Sequence, residues 1–252
     1  MFSTGHLIWI AICFVFVLVM TLVSVKKHFS LKLSGYIMCG ICVVSEISKM
    51  MSDMEESPEG GMHLAPGSLP FHLCSLMIFV VFYITFGKEG KFKQYLIDFL
   101  AVMGTLGSLC AILIPTNGTG FTEIGPYQCF VYHGGLMWFA LYLVFSKKAE
   151  MTLKSTLRNM LILTFLSLMM IYVNGALSAY DTNFFFITRP PLEGLPYLNL
   201  NHGWYAYFLR IFLLGVVLIT LFTLPFIISS AVKSKKDAKN GDSETKTKET
   251  EK

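Results

Sequence analysis

LPFHLCSLMIFVVFYITFG, Leu69–Gly87, is an apolar run long enough to cross a lipid bilayer, yet it carries His72 and Cys74 near its leading end. About 20 apolar residues in a helix span the roughly 30 Å of bilayer hydrocarbon, whereas an open sheet there leaves backbone groups unpaired. An imidazole and a thiol gain nothing from hydrocarbon. A polar, titratable residue inside a span is costly unless it lines a polar cavity, so its presence marks a candidate site.

The same pattern repeats outward from this run. The 252 residues are 54% hydrophobic and 14% charged, where an average soluble domain has about a quarter of its residues charged. Apolar runs at about 7–25, 33–51, 69–87, 95–114, 127–145, 157–178 and 204–230 predict about seven transmembrane helices. The expected fold is therefore all-α, a polytopic membrane helix bundle over residues 1–232. A Lys-rich tail follows at 233–252, KSKKDAKNGDSETKTKETEK, whose polar mixed-charge composition predicts disorder. Nothing in the chain reads as a soluble catalytic module or a nucleic-acid binder.

Lysine placement predicts orientation. The connections after the first, third and fifth runs hold Lys26, Lys27 and Lys32, then Lys88, Lys91 and Lys93, then Lys147, Lys148, Lys154 and Arg158. The opposite connections hold Arg189 alone. Cationic loops stay on the cytoplasmic side, which puts the N-terminus outside and the C-terminus in the cytoplasm of a cell membrane. No Lys or Arg precedes the first run, the reverse of a secretory leader, so it reads as a retained span. All six cysteines fall inside runs, which argues against a disulfide-stapled ectodomain.

The polar residues within the runs share a depth. At about 1.5 Å per helical residue, Glu46, Cys74, His133, Asn174 and Arg210 all lie roughly 6–9 Å from the outer surface, on five different helices. Buried ionisable groups need partners, so the economical arrangement turns them inward around one pocket opening to the outer leaflet. Glu46 and Lys49 stand at i, i+3 and can pair, with Lys49 snorkelling to the interface. Asp98 sits near Lys91 and Lys93 for pairing at the other surface. The connection at 52–68 reads as a flexible acidic turn, with Pro70 in the first turn of the third helix. The long connection before the seventh run reads either as an ordered cap or as an interfacial loop.

Two chemistries compete for this layer. A zinc ion suits Cys129 and His133 at i, i+4, but His72 and Cys74 at i, i+2 point about 200° apart on a helix. No metal and no cofactor is therefore assigned. Nucleophilic catalysis needs only one thiol and one imidazole to meet, and Cys74 and His133 come from different helices at one depth. His133 takes the thiol proton and later returns it to the leaving group, while Asn side chains or N–H groups stabilise an oxyanion. Cys129 is the rival nucleophile, although an i, i+4 partner on the same helix leaves little room for substrate. Plain packing accounts for any one of these residues taken alone.

LPFHLC, YVNGALSAYDTNFFFITRPP and WYAYFLRIFLLGVVLITLFTLPF together resemble signature segments of the YwaF-like integral membrane proteins, which include the animal transmembrane protein 164. Phe71 stands where Leu is common, and Phe184 where that family often has Tyr, which removes a hydroxyl. The resemblance implies a multi-span fold similar to the androgen-induced-protein lipid hydrolases. For the animal member it implies acyl transfer to lysophospholipids through a Cys and a His, at positions matching Cys74 and His133. The resulting expectation is a lipid acyltransferase or hydrolase acting on membrane phospholipid or lysophospholipid. His72 orients the site, Asn174 or Asn183 holds the ester oxygen or head group, and Glu46 with Arg210 forms an ion pair or meets a zwitterionic head group. The alternative is a transporter or sensor binding a polar ligand in the same pocket, against which the odd span count and absence of an apparent inverted repeat argue. The sequence leaves oligomeric state open.

Overall fold

A computed structural model describes the protein over residues 2–56 and 60–250. Seven helices long and apolar enough to cross a membrane run up and down in sequence order. They are α1 (Thr4–Lys26), α2 (Leu31–Ser52), α3 (Leu73–Phe86, which reaches membrane length only with the turn before it, as Pro66–Phe86), α4 (Lys91–Leu113), α5 (Ile124–Phe145), α6 (Leu153–Ala176) and α7 (Gly203–Thr250). Side chains define several starts. Ser30 caps α2 by accepting from the Leu33 N–H, and Thr152 with Ser155 forms a reciprocal capping box on α6.

α5 is the axis of the bundle. It packs against α1, α2 and α4, and it is buried over nearly its whole length, including both Gly134 and Gly135. A helix apolar on every side has no preferred outward face, so it settles at the centre. Lipid tails are as apolar as Leu, so helix association here rests on close packing and inter-helix hydrogen bonds. A Cβ at Gly135 would lie 2.9 Å from Ile41 Cδ1, which shows how closely α2 crosses α5. Trp138 Nε1 donates to Ser24 Oγ at 3.3 Å, and the Tyr142 hydroxyl donates to the Phe29 carbonyl at 2.8 Å. By contrast α6 and α7 lie at the periphery and expose most of their spans.

The structure corrects the sequence reading in three places. First, α3 does not begin at Leu69: a 3₁₀ turn covers Pro66–Ser68, and helix starts only at Leu73, with His72 extended (φ −70, ψ 150) as its N-cap. The cause is Pro70, because the residue before a proline is pushed out of the helical region, and Leu69 sits at φ −56, ψ 148. Second, the 52–68 connection is no formless turn: β1 (Met54–Glu56) pairs antiparallel with β2 (Met62–Leu64), Glu55 facing His63. Gly60 and Gly61, at φ 87 and 85, supply backbone that other residues rarely adopt. Third, Asp98 does not pair with Lys91 or Lys93. Lys93 bonds Glu89 at 2.7 Å, while Asp98, fully buried, pairs with Arg158, accepts from Gln94 Nε2 and the Glu150 N–H at 2.8 Å each, and so ties α4 to the start of α6. The α7 backbone runs helical from Gly203 to Thr250. Extending an existing helix avoids the costly nucleation step, and Lys, Glu and Ala are good helix formers.

The close approach of α2 to α3 gives a direct test. A Cβ on Gly35 would run into the Thr85 hydroxyl and sit 3.0 Å from its methyl, whereas a Cβ on Gly40 meets nothing within 4 Å. Thr85 is stiff at χ1 and bonded to the Val81 carbonyl at 2.8 Å, so it cannot easily give way. Gly35→Ala is expected to lower stability by about 1–3 kcal/mol, read as a drop in melting temperature in detergent. Gly40→Ala should stay within about 0.5 kcal/mol of the parent, and Thr85→Ala should recover part of the Gly35→Ala loss.

Candidate functional site

The connections 53–72, 114–123 and 177–202 gather at the lysine-poor end of the bundle, and the candidate residues divide there into two groups. The inner group joins α3 to α5. Cys74 is the second residue of α3, and its N-cap His72 makes no side-chain capping bond. The N–H groups of Leu73, Cys74 and Ser75 therefore point out of the helix start with no partner inside it. Such a terminus favours negative charge, through its free donors and the aligned peptide dipoles.

His133, buried in α5, turns its Nδ1 back onto its own helix. Nδ1 lies 2.7 Å from the Cys129 carbonyl oxygen. A carbonyl only accepts, so Nδ1 carries the proton and Nε2 of the neutral ring holds the lone pair. The Cys129 thiol also approaches Nδ1, at 3.6 Å, but a protonated nitrogen cannot take its proton. The rival pair on one helix is thereby disfavoured as a nucleophile and base, for a reason of tautomer rather than distance. Cys74 and His133 share no direct hydrogen bond. What lies between them is Tyr132, whose hydroxyl donates to the Cys74 carbonyl at 2.6 Å and whose ring meets the His133 ring edge-on at 5.1 Å.

The outer group builds a lid from the α6–α7 connection. Asn174, near the end of α6, donates Nδ2 to the Phe184 carbonyl at 3.0 Å and accepts from the Phe184 N–H at 2.8 Å. Asn183 donates to the Arg189 carbonyl at 2.9 Å and accepts from the Thr188 N–H and hydroxyl at 3.1 and 2.7 Å. Both amides brace the connection itself, Asn174 through backbone and Asn183 through backbone and the Thr188 hydroxyl. Arg210 reaches back to Asn199, 3.1 Å from Oδ1, and Trp204 Nε1 donates to the Ile187 carbonyl at 3.0 Å. Glu46 pairs with Lys49 at 2.6 Å, so Glu46 and Arg210 do not pair with each other. Lys49 is drawn inward rather than to the interface, with its side chain 14% exposed, and its charge bears on both His72 and Cys74.

His72 links the groups. Its ring packs against Phe184 and Phe186, centroids 5.2 and 5.4 Å away, and Phe71 meets Phe184 at 5.3 Å. His72 therefore faces the lid, two residues from Cys74 but in extended backbone, so the helical i, i+2 comparison does not apply. Phe185 and Phe186 adopt left-handed φ of 59 and 53, unusual for bulky side chains and held by the bonds around them. Two shallow grooves lie elsewhere: one runs along Ala11, Ile12 and Val15 on the outside of α1, the other between α6 and α7 at Thr164 and Phe212. Both are apolar surface features, and neither is lined by Cys74 or His133. Among the described residues no group of three or more His, Cys, Asp or Glu is placed to hold a metal.

The family model described as the TMEM164 family matches residues 1–224. The chain belongs to the TMEM164 family. It is an integral, multi-pass membrane protein, and the matched region contains every residue of both groups. No curated protein and no solved structure matches this TMEM164-family chain.

Tyr132 is the member of the site that sequence reasoning passed over, whereas the Glu46–Lys49 pair forms as its i, i+3 spacing predicts. Tyr132 stands beside His133 in a run of aromatics and gives no signal until α3 is docked. The role of Asn174 is testable by itself. Asn174→Ala leaves the buried Phe184 N–H unpaired and its carbonyl with only the longer Ile187 N–H bond, and is expected to cost about 1–3 kcal/mol, seen as faster proteolytic cleavage within 177–202. Asn174→Asp keeps the acceptor for the Phe184 N–H and should be cleaved at an intermediate rate.

Proposed function

We propose that this TMEM164-family protein is a thiol-dependent lipid acyltransferase, with hydrolysis when water replaces the acceptor. The observation that carries the reading is Cys74 at an uncapped helix start whose carbonyl is fastened to α5 by Tyr132, next to His133, which keeps Nε2 unprotonated. In the first half-reaction His133 Nε2 takes the Cys74 proton, and the sulfur attacks the ester carbonyl of a phospholipid. The carbonyl oxygen becomes an oxyanion, for which the free N–H groups at the start of α3 are suitable donors. The lysophospholipid leaves with the proton from His133, and a thioester remains on Cys74. An acceptor lysophospholipid hydroxyl then gives its proton to His133 and attacks the thioester, which releases the thiolate and the new phospholipid. No metal or cofactor enters these steps.

Membrane lipids are the partners this chemistry implies. The lysine distribution supports an orientation with the N-terminus outside and the C-terminus in the cytoplasm of a cell membrane, which turns the lid and Cys74 toward the outer leaflet. His72 under the phenylalanines suits a positioning role at the entrance rather than proton transfer. Substrate access then requires the lid to shift from His72.

Purified protein incubated with a phospholipid bearing an alkyne-tagged acyl chain is expected to take the tag at Cys74, releasable by neutral hydroxylamine. His133→Ala should slow labelling by about 10²- to 10⁴-fold. Equal labelling of Cys74→Ala would sink the proposal. Full function in Cys74→Ser combined with loss in Glu46→Gln favours the ligand-binding alternative instead.

A further inference from the structure

We infer that Tyr132 is the positioning residue that holds Cys74 in register with His133. The inference rests on the acyl-transfer reading of the site and adds a residue to it. Cys74 and His133 sit on separate helices, α3 and α5, and no hydrogen bond joins them. Their relative placement must therefore come from whatever fastens the first turn of α3 to α5 at that level. The Tyr132 hydroxyl is that fastening: it donates to the Cys74 carbonyl itself, at 2.6 Å, from the residue next to His133. The ring is 3% exposed and packs edge-on against His133 at 5.1 Å, so one side chain restrains both partners.

Two features make this placement more than the satisfaction of a buried phenol. α3 is short, 14 residues, and its start is preceded by a stretch with no helical bonding, so the first turn has little intrinsic stiffness along the chain. A carbonyl has two lone pairs, so the hydroxyl adds a second anchor to a group that already serves the helix. Misplacing reacting groups by about 1 Å can cost on the order of 100-fold in rate.

The test follows the Cys74 thiol in the full-length protein in nanodiscs. N-ethylmaleimide alkylation of Cys74 is measured by mass spectrometry across pH, with the exposed Cys110 as internal reference. In Tyr132→Phe the Cys74 alkylation rate is expected to change at least about 3-fold and its pH profile to shift, while Cys110 is unaffected. Acyl labelling of Cys74 should fall about 10- to 100-fold, through the maximal rate and not through the lipid concentration at half-saturation. Alkylation is read on the monodisperse folded fraction, because unfolded protein would add the pH profile of a free thiol. Installing 4-aminophenylalanine at 132 restores an N–H donor and should restore both readouts. An unchanged Cys74 profile in Tyr132→Phe overturns the inference. If Tyr132→Phe does not fold, 3,5-difluorotyrosine keeps the ring and strengthens the donor, and an unchanged profile there overturns it equally. Absence of acyl labelling in the parent protein defeats the acyl-transfer reading, while the alkylation arm still decides for or against Tyr132.

Discussion

Backbone that is not helical cannot face hydrocarbon, and the arrangement at the lysine-poor end follows from that rule. α3 forms only from Leu73, because Pro70 keeps Leu69 out of the helix. Its 14 residues reach about 21 Å, short of the bilayer core. The remaining stretch needs a protein cover, and the α6–α7 connection supplies one. Phe184 is fully buried against Phe71 and His72, with its backbone held from both sides by Asn174. Left-handed Phe185 and Phe186 persist because Asn183, Trp204 and Tyr207 fix the chain around them. The lid and the late start of α3 are two sides of one solution.

That solution sets the chemical character of Cys74. A helix starting at Leu69 would bury Cys74 within its second turn, with its N–H already bonded. Starting at Leu73 leaves Cys74 beside unpaired donors, and the lack of a capping side chain on His72 keeps them so. α5 brings the complementary group. Its glycines let α1 and α2 lie close, its apolar surface holds it at the axis, and His133 is locked in one tautomer by its own helix carbonyl. A base whose lone pair is fixed by structure needs no reorganisation when the thiol arrives.

The two ends of the bundle use polar groups differently. At the lysine-rich end, Asp98 collects Arg158, Gln94 and the Glu150 N–H, and the Arg158 guanidinium lies 3.8 Å over the Tyr95 ring. Its carboxylate is occupied, which suits a permanent joint between α4 and α6. At the lysine-poor end the polar atoms include an unbonded Nε2 and uncapped N–H groups beside a half-buried thiol. Such unfinished pairing is what a reacting ligand can complete.

The sequence by itself determined the seven apolar helices and their order, because hydrocarbon enforces length and composition on every span. It also marked Cys74 and His133, since a thiol and an imidazole at one depth are conspicuous among Leu, Ile and Phe. Tertiary structure alone decided the roles. Asn174, Asn183 and Arg210 looked like ligand contacts, and became lid supports only once the α6–α7 connection folded back. The Glu46–Lys49 pair, by contrast, was legible from i, i+3 spacing on one helix. Tyr132 had no signature at all, because a phenol declares its partner only when another helix brings it a carbonyl. Periodicity and composition act along one chain, whereas hydrogen-bond partners are chosen across helices, by packing that local sequence does not encode.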